Sequence, residues 1–166
     1  MGFPFYVVLL AAVCIAGLAI LVKGTDNRRT TSVLFALYII AVLIITLLVR
    51  TYDVEVKTLL NPFSKYITLG KYFAKDGWRC IVIKRWLITE IFLNIILFVP
   101  MGFIVPVLHE SLRKWWRILL LGLAFSLFIE SAQLVLHMGY FDTADLLHNT
   151  LGAGVGYAIW HKGMMN

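Results

Sequence analysis

Long apolar runs are the feature that most constrains how this chain can fold. Hydrophobic residues make up 61% of its 166 residues and charged residues only 14%. A soluble domain has about 45–50% apolar and about 25% charged residues. Several runs reach the ~20 mostly apolar residues that a helix needs to cross a bilayer. We therefore expect an all-α integral membrane protein.

The runs predict a bundle of about five transmembrane helices in a single membrane domain, residues 1–166, with no room for a separate soluble domain. The first run lacks the basic start and small-residue cleavage pattern of a secretion signal, so we expect it to be retained. The last is about 17 residues long, the lower limit for a span. The predicted spans are Phe3–Val22, Thr31–Val49, Trp86–Leu108, Ile118–Leu136 and Ala144–Trp160.

Residues 50–85 differ in kind from the apolar runs. Cations alternate there with aromatic and aliphatic side chains, which is typical of a segment in the membrane interface. Asn61-Pro62 would interrupt a helix. We expect two short surface helices or a re-entrant segment between the second and third spans, with an ordinary loop anchored by aromatic side chains as the alternative. The cations are Arg50, Lys57, Lys65, Lys71, Lys75, Arg79, Lys84 and Arg85.

The flanking charges predict an orientation. The two sides of the membrane would carry nearly equal numbers of Lys and Arg residues. However, the first span has no basic residue before it and is followed by Lys23, Arg28 and Arg29. Because cytoplasmic flanks carry the excess of Lys and Arg, we expect a multi-pass plasma-membrane protein with its N-terminus outside and its C-terminus cytoplasmic. The formal charge of +6 indicates contact with membrane lipids rather than with nucleic acid.

Polar residues inside three of the apolar runs are the strongest functional signal. An ionisable side chain in the hydrocarbon costs at least ~2.5–3.5 kcal/mol, so it tends to mark function. Steps of three or four residues place side chains on one helix face. The third span has such a face in Glu90 and Asn94, the fourth in Ser126, Glu130, Gln133 and His137, and the fifth in Asp145, Asn149, Gly152 and Gly156.

These three faces are expected at the same depth. Five alternating spans put the 50–85 segment and the turn at 137–143 on one side of the membrane. Glu130 lies about six residues, or ~9 Å, from that end of its helix. The polar faces therefore lie toward one leaflet in either orientation.

The polar groups suit several kinds of chemistry. Carboxylates with amides can bind sugars or peptides, hold a hard cation, or act as general acids and bases. The alternative is that they hydrogen-bond one another and hold the bundle together. The catalytic candidates are Glu130, Asp142 and Asp145, and the expected ligand-binding set adds Asn94, Gln133 and Asn149.

No metal and no cofactor is expected. His137 and His148 could join Asp145 at a transition metal, but no H-E-x-x-H or comparable motif is present. Ser126 and Ser131 lack an evident triad, so no nucleophile motif is visible.

Glycines in the last run predict close helix packing. Gly152 and Gly156 form a G-x-x-x-G step on the face that carries Asp145 and Asn149. Such a step lets another helix approach closely. We expect it to act within the chain rather than in dimerisation.

The ordered motifs resemble the VanZ-like family of small bacterial membrane proteins. Asn61-Pro62-Phe63 resembles the element before the family's third helix, and the likeness covers about residues 60–158. The matching segments are Asn94-Ile-Ile-Leu-Phe-Val-Pro100-Met-Gly102-Phe, Ser126-Leu-Phe-Ile-Glu130-Ser-Ala-Gln133 and Phe141-Asp142-Thr-Ala-Asp145-Leu-Leu-His-Asn149-Thr-Leu-Gly152.

The resemblance implies a role in the cell envelope, because the family is named for an accessory protein associated with reduced sensitivity to teicoplanin, a lipoglycopeptide. We expect the chain to bind a lipid-linked cell-wall precursor or a lipoglycopeptide in a polar pocket facing the outer leaflet. Two alternatives are a membrane-embedded enzyme that modifies a lipid-linked glycan or peptide by carboxylate acid–base catalysis, and a scaffold for other envelope enzymes.

One departure from the family is visible. Members often have an arginine shortly before the first aspartate of the F-D-x-x-D element, whereas this chain has His137-Met-Gly-Tyr-Phe. If that arginine contacts ligand, His137 or a basic residue of the 50–85 segment is expected to replace it, or the ligand differs.

Overall fold

The computed structural model describes residues 27–48 and 58–165, and these are mostly helical. The N-terminal run Phe3–Val22 lies outside the described residues. The elements are α1 (Arg28–Leu43) with a π-helical turn (Ile44–Leu48), β1 (Thr58–Leu59), α2 (Ser64–Asp76), α3 (Arg79–Ile83), α4 (Arg85–Leu108), a 3-10 turn (Glu110–Leu112), α5 (Trp115–Val135), β2 (Phe141–Asp142) and α6 (Thr143–Met165).

Three helices in the described part of the chain are long and apolar enough to cross a membrane. They are Arg28–Leu47, Arg85–Leu108 and Trp115–Val135, and they correspond to the predicted second, third and fourth spans. The predicted fifth span lies within α6, which is helical but does not belong to this apolar class. A membrane protein is thus indicated, while the count of five spans stays a prediction.

Helices α4 and α6 pack so closely that glycine is required where they meet. A Cβ built on Gly152 would lie 2.1 Å from the Ile95 carbonyl oxygen, and one on Gly156 would lie 2.0 Å from the Val99 carbonyl oxygen. Residue numbers rise together along both helices, so the two helices run parallel. The G-x-x-x-G step therefore packs within the chain, as predicted.

Helices α5 and α1 complete the bundle. A Cβ on Gly122 of α5 would lie 2.8 Å from the Ala153 Cβ of α6, so these helices are also close. Helix α1 is joined to α4 by the Tyr38 hydroxyl, which donates to the Leu97 carbonyl over 2.6 Å. The core between the helices consists of Tyr38, Val42, Leu97, Phe98, Met101, Val105, Ile118, Ile129 and Ala153.

The segment before α4 folds into two short helices. Asn61 forms a turn just before α2, where its side-chain oxygen accepts the Phe63 N–H over 2.9 Å, and Gly77 follows α2 with a positive φ of 57°, a conformation that glycine adopts without strain. Residues 64–83 are therefore largely helical rather than an extended loop, and Cys80 is buried in α3. Where these helices lie relative to a membrane stays a prediction.

A two-residue parallel strand pair joins the start of α2 to the start of α6. Thr58 pairs with Phe141 and Leu59 with Asp142. The Thr143 hydroxyl reinforces the pair by donating to the Leu59 carbonyl over 3.0 Å. As a result α2, the beginning of α4, the end of α5 and the beginning of α6 meet at one end of the bundle.

Candidate functional site

Lys65 lies at the centre of a cluster of carboxylates at this end of the bundle. Its Nζ pairs with Asp145 Oδ1, lies 3.1 Å from Asp142 Oδ2 and lies 3.4 Å from Glu90 Oε1. Lys65, Asp142 and Asp145 are buried and Glu90 is partly exposed. We call these four residues the Lys65 cluster, which joins α2, α4, β2 and α6.

The pKa of Lys65 shows that its carboxylate partners prevail over its burial. Burial alone would lower the lysine pKa, but the charges of Asp145, Glu90 and Asp142 and the hydrogen bond to Asp145 hold it above its ordinary value. The ammonium form is therefore the one that the cluster stabilises.

Asp142 has two roles because its two oxygens face different partners. Oδ2 pairs with Lys65, and Oδ1 accepts the Ala144 backbone N–H over 2.9 Å, so Asp142 caps the first turn of α6. Asp145 also lies in this first turn. The positive end of the helix dipole stabilises both carboxylates, which explains in part how two aspartates are tolerated so close together.

Glu130, a residue of α5, holds the first turn of α6 in place. Its Oε2 accepts the backbone N–H of Asp142 over 2.8 Å, and Glu130 is buried. The predicted catalytic candidates Glu130, Asp142 and Asp145 are thus brought together. In the described contacts Glu130 positions the backbone next to the Lys65 cluster.

A buried histidine lies beside the cluster. His148 of α6 has no exposed surface, and its Nε2 lies 2.8 Å from the Tyr66 hydroxyl of α2. Its Nδ1 lies 4.0 Å from Asp145 Oδ1 and makes no hydrogen bond to any residue that the structure describes. Tyr66, His148 and Asp145 therefore form a chain that runs from the surface to the cluster.

The three predicted amides occupy separate places. The Asn149 amide donates to the Ser126 hydroxyl over 2.8 Å, and the Gln133 amide donates to the Thr46 carbonyl over 2.9 Å. Asn94 is partly buried on α4, and its Nδ2 makes no hydrogen bond within the described residues. The structure thus links Asn149 to α5 and Gln133 to the end of α1, and neither amide has a contact with Lys65 in the described part of the chain.

Lys65, a cation of the 50–85 segment, belongs to the cluster, whereas His137 lies outside it. His137 is exposed in the turn after α5 and has a positive φ of 55°. Among residues 27–48 and 58–165, no group of three or more His, Cys, Asp or Glu side chains has an arrangement that could hold a metal ion.

Sequence reasoning noted Lys65 as a surface cation and did not include it, Tyr66 or His148 in the site. The structure places Lys65 on the inward face of α2. Thr68, Leu69 and Tyr72 follow it at three, four and seven positions and are all partly buried, whereas Lys71 is exposed. The sequence contains no such signal, because the apolar side chains Phe63, Ile67 and Phe73 are the ones left exposed.

The apolar helices and the buried ion cluster at their end indicate a mostly helical membrane protein with a polar site. A sequence model described as VanZ/LLP1 matches residues 35–165, and the chain belongs to this family. No curated protein and no solved structure gives a significant match.

Proposed function

We propose that the chain is a cell-envelope protein that binds the polar part of a lipid-linked cell-wall precursor or of a lipoglycopeptide and thereby lowers the action of teicoplanin. The observation that carries the proposal is the Lys65 cluster, where four elements bring one ammonium and three carboxylates together beside the apolar helices. Asp142 and Asp145 are the proposed contacts to the ligand, with Glu130 holding their turn in place.

Unused hydrogen-bonding capacity supports ligand binding over a purely structural network. Three buried atoms make no hydrogen bond within the described residues, namely Asn94 Nδ2, His148 Nδ1 and Asn149 Oδ1. A buried polar atom without a partner costs about 1–3 kcal/mol. A network built only for stability would have little reason to keep three such atoms, whereas a polar ligand could supply their partners.

The surface of α2 supports delivery of the ligand from the membrane. Phe63, Ile67 and Phe73 are exposed large apolar side chains, and Lys71 and Lys75 are exposed cations on the same helix. Such a surface suits the boundary between anionic headgroups and acyl chains. We propose that α2 lies in the outer leaflet and brings the headgroup to the cluster.

Susceptibility of bacteria that express the chain tests the proposal. Wild-type protein should raise the teicoplanin concentration needed to stop growth, whereas Asp145→Asn and Glu130→Gln should remove most of that protection. Lys162→Gln is the matched control, because Lys162 is an exposed cation at the far end of α6, away from both the Lys65 cluster and α2. Full protection from Asp145→Asn and Glu130→Gln at wild-type abundance in the membrane would overturn the proposal.

A further inference from the structure

We propose that Tyr66, His148 and Asp145 form a proton relay whose outer end, the Tyr66 hydroxyl, takes a proton from a hydroxyl group of a bound headgroup. Tyr66 is 42% exposed and His148 has no exposed surface, and the phenol oxygen lies 2.8 Å from His148 Nε2. One hydrogen bond thus connects an accessible hydroxyl to a buried base. This is the spacing of a hydroxyl with its general base.

The charge of Asp145 determines which nitrogen of His148 carries the proton. Nδ1 lies 4.0 Å from Asp145 Oδ1. A proton on Nδ1 faces the carboxylate favourably, whereas a lone pair there would face it unfavourably. Neutral His148 is therefore protonated on Nδ1, which leaves Nε2 to accept the Tyr66 hydroxyl proton.

The proton transfer balances within these groups. The ligand hydroxyl gives its proton to the Tyr66 oxygen as Tyr66 gives its own to His148 Nε2. The ligand oxygen keeps the electron pair, and the imidazolium that forms carries its Nδ1 proton on a nitrogen 4.0 Å from Asp145 Oδ1. Among the described residues, Asp145 pairs with Lys65 of α2, which also pairs with Glu90 of α4 and Asp142 of β2, so the carboxylates of the Lys65 cluster stabilise the new cation and Lys65 opposes it.

The relay differs from an ordinary aromatic contact. The Tyr66 and His148 rings meet edge to face with their centroids 5.6 Å apart, a geometry that packing alone can produce. Packing alone predicts a tyrosine of ordinary reactivity, whereas the relay predicts an activated one. Reactivity is a property of the free protein, so its measurement is independent of the proposed envelope ligand.

Labelling with an aryl sulfonyl fluoride, read by peptide mass spectrometry, tests the relay. In this reaction the tyrosine oxygen bonds to sulfur, fluoride leaves and a base takes the phenol proton. General-base assistance is worth about 10²–10⁴-fold, so Tyr66 should react at least about tenfold faster than Tyr140. Tyr140 is the internal control, since it is 38% exposed and its hydroxyl bonds to no histidine in the described part of the chain.

A His148→Gln variant should bring the Tyr66 rate down to that of Tyr140. Because His148 is buried and the variant could fail to fold, the pH profile of wild-type labelling is the second measurement. The Tyr66 rate, assisted by its histidine base, should depend less steeply on pH than the rate of Tyr140, whose hydroxyl has no histidine partner in the described part of the chain. Equal rates at the two tyrosines, parallel pH profiles, or an unchanged Tyr66 rate in folded His148→Gln would overturn the relay.

Discussion

Single residues explain how a charged cluster persists beside apolar helices. Lys65 is buried, and its ammonium contacts three carboxylates that belong to three other elements. Two of these, Asp142 and Asp145, gain further stabilisation from the N-terminal end of α6. The cluster thus relies on the backbone as much as on the opposite charge of the lysine.

Removing the Lys65 charge should destabilise the fold. Lys65→Met leaves buried carboxylates without their cation, a kind of change that costs about 3–5 kcal/mol. Lys71→Met, at an exposed position on the same helix, should stay within about 0.5 kcal/mol of wild type. Thermal unfolding of both purified variants measures the difference, and equal effects would contradict a central role for Lys65.

The stability difference between wild type and Lys65→Met should depend on pH. The pKa of folded Lys65 lies above its ordinary value of 10.5. Its stabilising contribution is therefore fully present below about pH 10.5 and is lost as the pH rises through the folded-state pKa. The gap in melting temperature between wild type and Lys65→Met should be constant at neutral and mildly alkaline pH and should narrow above that value. A gap that narrows between pH 7 and 9 would contradict it.

At the residue level, helical spacing located the carboxylates but not their cation. Glu90, Glu130 and Asp145 stand out in the sequence because they interrupt apolar runs. Lys65 does not, since it is one of eight cations in a basic segment, and its burial depends on how α2 docks on α4 and α6. Apolar spacing gave no guide to this face, because the large apolar side chains Phe63, Ile67 and Phe73 are exposed.

Between elements, backbone-to-backbone packing of α4 on α6 fixes the register of the site. Gly152 and Gly156 of α6 face the carbonyls of Ile95 and Val99, and Gly102 of α4 faces the carbonyl of Ala153. This packing begins one turn beyond Asn149. A shift of one helix along the other would separate Glu90 from Asp145.

A methyl group at the helix contact should therefore loosen the bundle. Gly152→Ala places a Cβ 2.1 Å from the Ile95 carbonyl oxygen, and such overpacking costs about 1–3 kcal/mol or more. Gly163→Ala is the control on the same helix, because nothing lies within 4 Å of its Cβ, and it should be neutral or stabilising by up to about 1 kcal/mol. The melting temperatures of the two variants measure the difference. A Gly152→Ala variant as stable as wild type would contradict the close packing.

The sequence predicted these elements unevenly for physical reasons. Three apolar runs correspond to helices of similar bounds, and the G-x-x-x-G step predicted close packing within the chain. The G-x-x-x-G step did not identify α4 as the partner helix, because the sequence alone does not show that α4 and α6 lie side by side. The β1–β2 pair is only two residues long in each strand, too short for any alternation of side chains to be recognised.

For the whole molecule, the topology gathers the functional groups at one end. Helices α4 and α6 begin there, α5 ends there, and the strand pair brings α2 to the same place. The predicted alternation of spans required this arrangement in either orientation. Which face of the membrane it occupies depends on the flanking charges, and our prediction is the outer face.

Cysteine labelling tests that orientation. Cys80 is buried and is unsuitable as a reporter, so new cysteines belong at exposed Ala74 of α2 and at exposed Lys114 at the other end of the bundle, with Cys14 and Cys80 replaced by alanine. In intact cells an impermeant maleimide should label position 74, and position 114 should react only after permeabilisation. The reverse result would place the cluster on the cytoplasmic face.

A binding titration of the purified protein measures whether the Lys65 cluster recognises an envelope compound. The protein in lipid nanodiscs is titrated with teicoplanin and with a lipid-linked cell-wall precursor, and the dissociation constant is measured for wild type, Asp145→Asn and the control Lys162→Gln. We predict saturable binding of one of the two compounds, weakened at least about tenfold, or 1.4 kcal/mol, by Asp145→Asn and unchanged by Lys162→Gln. Binding of neither compound, or equal affinity of wild type and Asp145→Asn, would contradict the account.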